Sequence, residues 1–400
     1  MAVIGVVCEY NPFHRGHQLH IERSRAALGE ESAVLCVLSG DFVQRGEAAV
    51  YDKFARAEAA CRGGADLVVE LPLPWCLSSA EGFARGAVHL LASLGATHLS
   101  FGSESGALSP LEKLAETLLE PAFLEEVKSL LARDPSLSFA AARERAAQGR
   151  LGETALLLRS PNDILAVEYL KALRERNLPL APLAIRREGA GHDRDAAEGE
   201  LFSASQLRQL LREGRSITAQ LPASAAAVYD RERAAGRELS DPAALETALL
   251  SRLRMLSPED FERLPDASGG AGRRLWRAVQ EEATLERILD AAKSKRYALA
   301  RLRRMCLCAA LGVPAELQRS LPPYARILAL NGRGRALLHQ LAGESGVPVL
   351  TKPAVLRERG GEGERVFELG ARAHDLYVLG LPARNRCRPG EDWRRGPRIL

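Results

Sequence analysis

The 400-residue chain contains no Cys-x-x-Cys pair. Its seven cysteines (Cys8, Cys36, Cys61, Cys76, Cys306, Cys308 and Cys387) are odd in number and scattered. That spacing points to neither a disulfide framework nor a cysteine-built zinc site. Cys306 and Cys308, two apart in a helical pattern, read as packing residues. No apolar run is long enough to cross a membrane, and no basic lead-in with a long apolar core opens the chain. Neither a membrane span nor a signal peptide is therefore expected, and the expected setting is reduced and cytoplasmic. No repeat or low-complexity segment is evident. No G-x-x-x-x-G-K-S/T motif is present, which excludes a P-loop ATPase. The lack of a K-M-S-K-type loop counts against a complete aminoacyl-tRNA synthetase.

What is present is the composition of a globular protein, 46% hydrophobic and 26% charged, long enough for two or three domains. The net charge of +4 hides an asymmetry. Residues 1–200 carry 21 Lys and Arg against 28 Asp and Glu, a net of −7; residues 201–400 carry 34 against 23, a net of +11. Such a split fits a catalytic half and a half that meets a polyanion, while an Arg-rich helical surface alone would produce the same numbers.

Apolar runs at 3–7, 33–38, 66–71, 97–101 and 183–185 alternate with helical patterns at 18–28, 52–61, 81–94 and 161–174. The alternation predicts an α/β fold, a Rossmann-like parallel sheet with helices on both faces, whose ligands bind beyond the carboxyl ends of the strands. Residues 110–147 read as a helical insertion. Beyond about residue 215 the pattern is mostly helical (245–256, 272–292, 294–311), with short strand-like runs at 348–350 and 376–379 and glycine-rich loops at 268–272 and 359–363. The weakly patterned 214–224 marks the expected division, giving a nucleotidyltransferase domain over 1–215 and a mostly helical basic domain over 216–400.

The strand ends carry the chemistry. His14-Arg15-Gly16-His17 follows the first run and opens a helix. A helix start offers unpaired N–H groups and a positive dipole end to an anion, and two imidazoles around Gly16 add donors. An H-x-G-H alone is a weak signal; after a strand and at a helix start it points to nucleotidyl transfer. Attack on the α-phosphate of ATP builds charge on the phosphoryl oxygens and on departing pyrophosphate, and paired donors stabilise it. His20, a turn on, reads from spacing as a helix-surface residue. A second candidate, Ser203-Ala204-Ser205-Gln206-Leu207-Arg208, places two hydroxyls at a helix start and an arginine a turn later, a phosphate cradle or a plain serine cap. Residues 39–47, with Ser39, Gly40 and Asp41, form a polar loop that either meets substrate or simply connects.

The stretches "EYNPFHRGHQLHI", "SGDFVQRGE", "GADLVVELP", "FGSESG", "SPNDIL" and "SASQLR", in this order, resemble the tRNA(Met) cytidine acetate ligase family of HIGH-type nucleotidylyltransferases. The likeness is strong over roughly the first 210 residues and looser beyond, where "SKRYALARLRRM" is similar to a basic family segment. The chain departs from the family pattern at Asp41 (usually Asn), Ser205 (often Thr) and Ala298 (usually Thr). The resemblance implies that ATP, with Mg2+, activates acetate to acetyl-adenylate. N4 of the wobble cytidine of elongator tRNA(Met) then takes the acetyl group, giving N4-acetylcytidine, AMP and pyrophosphate. His14 and His17 would be catalytic. The nucleotide would contact Val7, Cys8, Glu9, Tyr10, Asn11, Pro12, Phe13, His14, Arg15, Gly16, His17, Gln18, Leu19 and His20. Gly102, Asn162 and Arg187 would join them, with Arg186, Ser203, Ser205 and Arg208 as further candidates. No protein metal site is expected.

Residues 293–304 gather Lys295, Arg296, Tyr297, Arg301 and Arg303. A basic helix with an aromatic can follow a phosphate backbone and stack a base, so these are the expected RNA contacts, against the alternative of a solvated cationic face. The expected partners are tRNA and acetate, with neither membrane nor DNA. Two rival readings stand beside this one: a small-molecule nucleotidylyltransferase, for which the basic half would be surplus, and an RNA-binding relative without turnover, against which the intact histidines count.

Overall fold

Runs of consecutive apolar residues become strands here because both faces of the sheet are covered. The computed structural model describes residues 1–134, 136–187, 201–239, 242–341 and 345–400. In chain order its strands are β1 (Val3–Cys8), β2 (Ala33–Ser39), β3 (Phe42–Val43), β4 (Glu47–Ala48), β5 (Leu67–Leu71), β6 (His98–Ser103), β7 (Ala181–Arg186), β8 (Ala325–Leu330), β9 (Val349–Leu350) and β10 (Arg398–Ile399). The main sheet runs β10-β8-β5-β2-β1-β6-β7, with β9 also beside β8, while β3 and β4 form a separate hairpin. Strands β5, β2, β1, β6 and β7 pair in parallel, as the apolar runs predict, and β8 lies antiparallel to β5.

The period of two sorts β2 between two cores. Leu35 and Val37 point to the side of Phe83 and Leu90, from the helix Ala80–Ser93; Val34, Cys36 and Leu38 point to the side of Ile21 and Phe54. The insertion forms the helices Leu108–Leu119, Pro121–Arg133 and Phe139–Leu151, which bury Leu111, Phe123 and Ala146 beside the helix Pro161–Glu175.

The C-terminal half differs from the sequence expectation in four places. Ala325–Leu330 is a fully buried strand, so the sheet crosses the 215/216 division. The pattern over 272–292 is two helices, Ala271–Glu281 and Leu285–Ala292, because the Thr284 hydroxyl accepts from the Arg287 N–H and starts the second. The basic helix begins only at Leu299. Residues 376–379 are no strand: the helix Gly361–Tyr377, which starts inside the glycine-rich stretch, buries Val366, Leu369, Ala373 and Tyr377 at helical spacing and passes into a tight turn.

A buried ionic junction ties this half to the sheet. Lys53 Nζ lies 2.7 Å from Glu70 and 2.6 Å from Asp392, and Arg326 reaches the same two carboxylates at 3.1 and 2.8 Å. Alongside it, Asp52 receives Arg237 and Arg395, and Asp41 receives His374. No helix among the described residues is long and apolar enough to cross a membrane. All seven cysteines are free thiols.

Candidate active site

Between β1 and the helix Arg15–Leu28 the chain makes a tight loop. Phe13 fills its underside and Gly63 makes room for it, since a Cβ there would lie 2.2 Å from the Phe13 ring. Tyr10 takes a positive φ of 44°, uncommon for an aromatic residue, and packs its ring against Phe13 and His17 at 4.9 and 4.8 Å. His14 is the helix N-cap and His17 the third helical residue. His14 Nδ1 accepts from the Gly16 N–H (3.1 Å), and His17 Nδ1 accepts from the His14 N–H (3.3 Å). This is a capping box built from two imidazoles instead of a hydroxyl and a carboxylate. It fixes their tautomers: with both Nδ1 atoms accepting, the neutral rings carry their protons on Nε2. The rings lie 3.8 Å apart, and a Cβ on Gly16 would come within 3.0 Å of His14, so glycine here makes room for the imidazole.

No acidic residue occupies the first turn, which leaves the positive helix end unneutralised. Burial, with Arg187 and Arg208 adding to it, pushes His14 down to about 3. Burial and then the neighbouring His14, Arg187 and His20 hold His17 well below the usual histidine range. His20 is no surface residue. Its Nε2 meets Ser100 Oγ at 2.9 Å; Ser24 spends its proton on the His20 carbonyl, so Ser100 donates to Ser24 and His20 donates to Ser100. Burial lowers this ring to about 4.

These groups open into a cleft of about 260 Å³ at the carboxyl ends of β1, β6 and β7. Of the residues proposed from sequence to meet the nucleotide, Val7, Cys8, Glu9, Tyr10, Asn11, His14, Gly16, His17, Leu19 and His20 line it, as do Gly102, Asn162, Arg186, Arg187, Ser203, Ser205 and Arg208. Pro12, Phe13, Arg15 and Gln18 do not. Pro12 and Phe13 are buried, and the Phe13 N–H donates to Tyr229 (2.9 Å); Arg15 is exposed; Gln18 borders a separate hollow beside Gly63 and Gly64.

The lining residues hold one another. Ser203 Oγ caps the helix Ala204–Arg212 by accepting from the Gln206 N–H, so its hydroxyl serves the cap. Arg208 donates to the Asn11 carbonyl (2.9 Å) and to Ser205 Oγ (3.3 Å), joining the two phosphate-binding candidates. A Cβ on Gly102 would press on the Arg187 stem at 3.2 Å. Asn162 donates to Glu104 (2.5 Å), whose carboxylate also takes N–H groups at the start of the helix Pro161–Glu175.

The 39–47 loop divides. Val43, Gln44, Arg45 and Glu47 line the cleft, whereas Asp41 is buried in the ionic junction, 2.8 Å from His374 Nδ1. Phe83, Tyr169 and Phe202 line the cleft with no signal in the sequence beyond their apolar character.

The basic segment folds back on the protein. The Tyr297 ring is buried beneath Arg301, whose guanidinium lies 5.3 Å from its centre, and its hydroxyl donates to the Gly269 carbonyl. That ring is not open for base stacking. Arg301 donates to the Asp266 and Ser268 carbonyls at 2.9 Å. Arg303 pairs with Glu47 at the cleft, whereas Lys295 and Arg296 are exposed. Gly46 allows this docking: at φ +74° it sits where a Cβ would be 2.6 Å from Arg303.

Residues 1–391 match the model of a family described as HIGH Nucleotidyl Transferase. The tRNA(Met) cytidine acetate ligase of Syntrophomonas wolfei is 36% identical over 418 aligned positions, covering 99% of each chain. That of Syntrophotalea carbinolica is 37% identical over 96% of this chain and 95% of its own. Among solved structures, Thermotoga maritima TmcAL without ligand superposes with a TM-score of 0.93 at 31% identity, and the same protein bound with alpha-thio ATP with 0.91 at 31%; both cover all of each chain.

Proposed function

The chain belongs to the HIGH nucleotidyl transferase family and, within it, to the tRNA(Met) cytidine acetate ligases, and from that premise we propose the reaction its cleft performs. ATP binds with its phosphates toward the helix start at His14 and its adenosine toward Gly102, Asn162, Arg186 and Arg187. Acetate attacks the α-phosphate, pyrophosphate departs, and acetyl-adenylate remains. N4 of the wobble cytidine of elongator tRNA(Met) then attacks the acetyl carbon, and N4-acetylcytidine and AMP leave. Activation is needed because a carboxylate is a poor acylating agent and AMP a good leaving group.

One observation carries this reading: two imidazoles whose Nδ1 atoms cap the helix and whose Nε2–H groups are left for a ligand. Donors set before the substrate arrives stabilise charge that develops on the phosphoryl oxygens without reorganising. The triphosphate would in turn raise the proton affinity of both rings, because an adjacent anion favours the charged imidazole. Arg187 and Arg208 make no salt bridge among the described residues, which leaves them for the same anion. Among those residues no three His, Cys, Asp or Glu side chains are grouped to hold a metal. Mg2+ would arrive with ATP, held chiefly by phosphate oxygens and water.

We assign ATP and acetate to residues 1–215 and most tRNA contact to 216–400, with Lys295 and Arg296 as its exposed cations, and we place the enzyme in the cytoplasm. The test is to incubate the protein with ATP, labelled acetate and unmodified tRNA without acetyl-CoA, and to locate the label. Label on the wobble cytidine with formation of AMP is expected. A strict need for acetyl-CoA, with no ATP consumed, would overturn the function and leave the fold standing.

A further inference from the structure

The cleft is rich in hydrogen-bond donors and poor in acceptors. His14 and His17 offer N–H groups, and five arginines line the wall. Among the described residues its two lining carboxylates are Glu9 and Glu47. Glu47 is already neutralised by Arg303. Glu9, in the loop directly after β1, makes no salt bridge among the described residues. Its Oε1 accepts the Gln44 N–H at 2.7 Å, and its own carbonyl is held by Arg56 at 2.6 Å. Gln44 is anchored in turn, by its amide to the Ser78 carbonyl and by its carbonyl to Arg304. One carboxylate oxygen is thus fixed and the other is left for a ligand.

We propose that Glu9 is the catalytic base of acetyl transfer, accepting the N4 amine of the cytosine as a hydrogen-bond donor and then taking its proton. The proposal rests on the reading of the cleft as an acetyl-transfer site. A carboxylate is the side chain that accepts from cytosine N4. Nitrogen forms a bond to the acetyl carbon, the bond from that carbon to the AMP phosphate oxygen breaks, AMP leaves with the electron pair, and the proton shed by nitrogen passes to Glu9. The donors that serve the first half-reaction do not suit this step, because His14 and His17 present N–H and not a lone pair.

Several groups face the carboxylate: Arg45 from the hairpin loop, Arg56 from the helix Lys53–Arg62, Arg208 from the helix Ala204–Arg212, Tyr169, and the thiol of Cys76. Burial outweighs the three arginines and raises Glu9 above its ordinary value of 4.5, nearer the range where a base works at neutral pH.

The experiment uses the whole protein and separates the half-reactions. Acetate-dependent exchange between ATP and pyrophosphate reports adenylation; a single turnover from preformed acetyl-adenylate onto unmodified tRNA reports transfer. In Glu9→Gln the amide oxygen still accepts the Gln44 N–H. The ratio of transfer to adenylation should fall by about 10²-fold or more. Transfer by the wild type should rise with pH, that rise should disappear in Glu9→Gln, and Glu9→Asp should restore part of both. A wild-type ratio and pH profile in Glu9→Gln would overturn the proposal, as would loss of the pH limb in His20→Asn instead, which assigns the proton to His20. A wild-type enzyme that forms acetyl-adenylate but acetylates no cytidine would remove the reading beneath it.

Discussion

Three imidazoles in the cleft and one, His374, in the ionic junction end with opposite proton affinities. In the cleft, burial and neighbouring arginines push His14 to about 3 and His20 to about 4, and His17 follows them down. In the junction behind β2, burial alone would lower His374 too. There the Asp41 carboxylate at 2.8 Å and Glu391 at 3.9 Å reverse the sign and lift it to about 10. Burial disfavours the charged imidazole in both places; the carboxylates decide the outcome. The junction answers its own charges, setting Lys53, Arg326, Arg237 and Arg395 against Glu70, Asp392 and Asp52. In the cleft, Arg187 and Arg208 make no salt bridge among the described residues, which is the arrangement that binds an anion. One region spends electrostatics on holding the chain together, and the other holds it for a ligand.

The sharpest way to break this contrast is to remove one charge from each region. Asp392→Ala strips the shared counter-charge from Lys53 and Arg326 and should cost about 3–5 kcal/mol in urea unfolding, whereas Arg187→Ala should stay within about 0.5 kcal/mol. A loss below about 1 kcal/mol in Asp392→Ala would erase the distinction. Next, His14→Ala or His17→Ala should lower acetate-dependent pyrophosphate release by about 10²–10³, with a stability cost of only about 1 kcal/mol from the lost cap. Near-wild-type release in both variants would move the chemistry elsewhere.

A smaller effect tests the basic segment. Reversing Lys295 and Arg296 together should weaken tRNA binding about tenfold and reduce the salt slope by about 1 per lost phosphate contact. Arg301→Ala should instead lower stability, because its guanidinium holds the Asp266 and Ser268 carbonyls. Filter-binding titrations at two salt concentrations separate the outcomes, and unchanged affinity in the double reversal would rule out an RNA contact there.

The last contrast is one of pH and concerns His374. Its folded value of about 10 lies above the ordinary 6.5, so its stabilising contribution is complete below about 6.5 and is lost as pH rises through 10. The cleft histidines, lowered toward 3–4, contribute in the other direction and cost stability as pH falls below 6.5. In unfolding curves across pH, His374→Asn should flatten the alkaline decline and leave the acid side alone. An unchanged alkaline decline would show that the proton sits elsewhere.

The parallel strands were legible because strands covered on both faces are written as unbroken apolar runs. The H-x-G-H was legible because its residues are contiguous. Other features depend on partners far along the chain. β8 contains Arg326, a charge that breaks an apolar reading unless Glu70 and Asp392 are known to meet it. Tyr297 and Arg301 look like an RNA face until the loop carrying Asp266 and Gly269 closes on them. His20 belongs to the cleft only because Ser100, far along the chain on β6, accepts its Nε2–H. Local pattern reports which face a residue occupies within its element and is silent on what that face meets.

The antiparallel pairing of β5 with β8 also governs how the molecule is made. Leu67–Leu71 leaves the ribosome about 250 residues before Ala325–Leu330, a delay of roughly 12–50 s at 5–20 residues per second. Throughout that interval one side of β5 has no neighbour, and such an edge is a template for pairing with other chains. A fragment ending near residue 215 would keep that open edge permanently. Expressing the first half alone should therefore yield aggregate rather than a miniature enzyme.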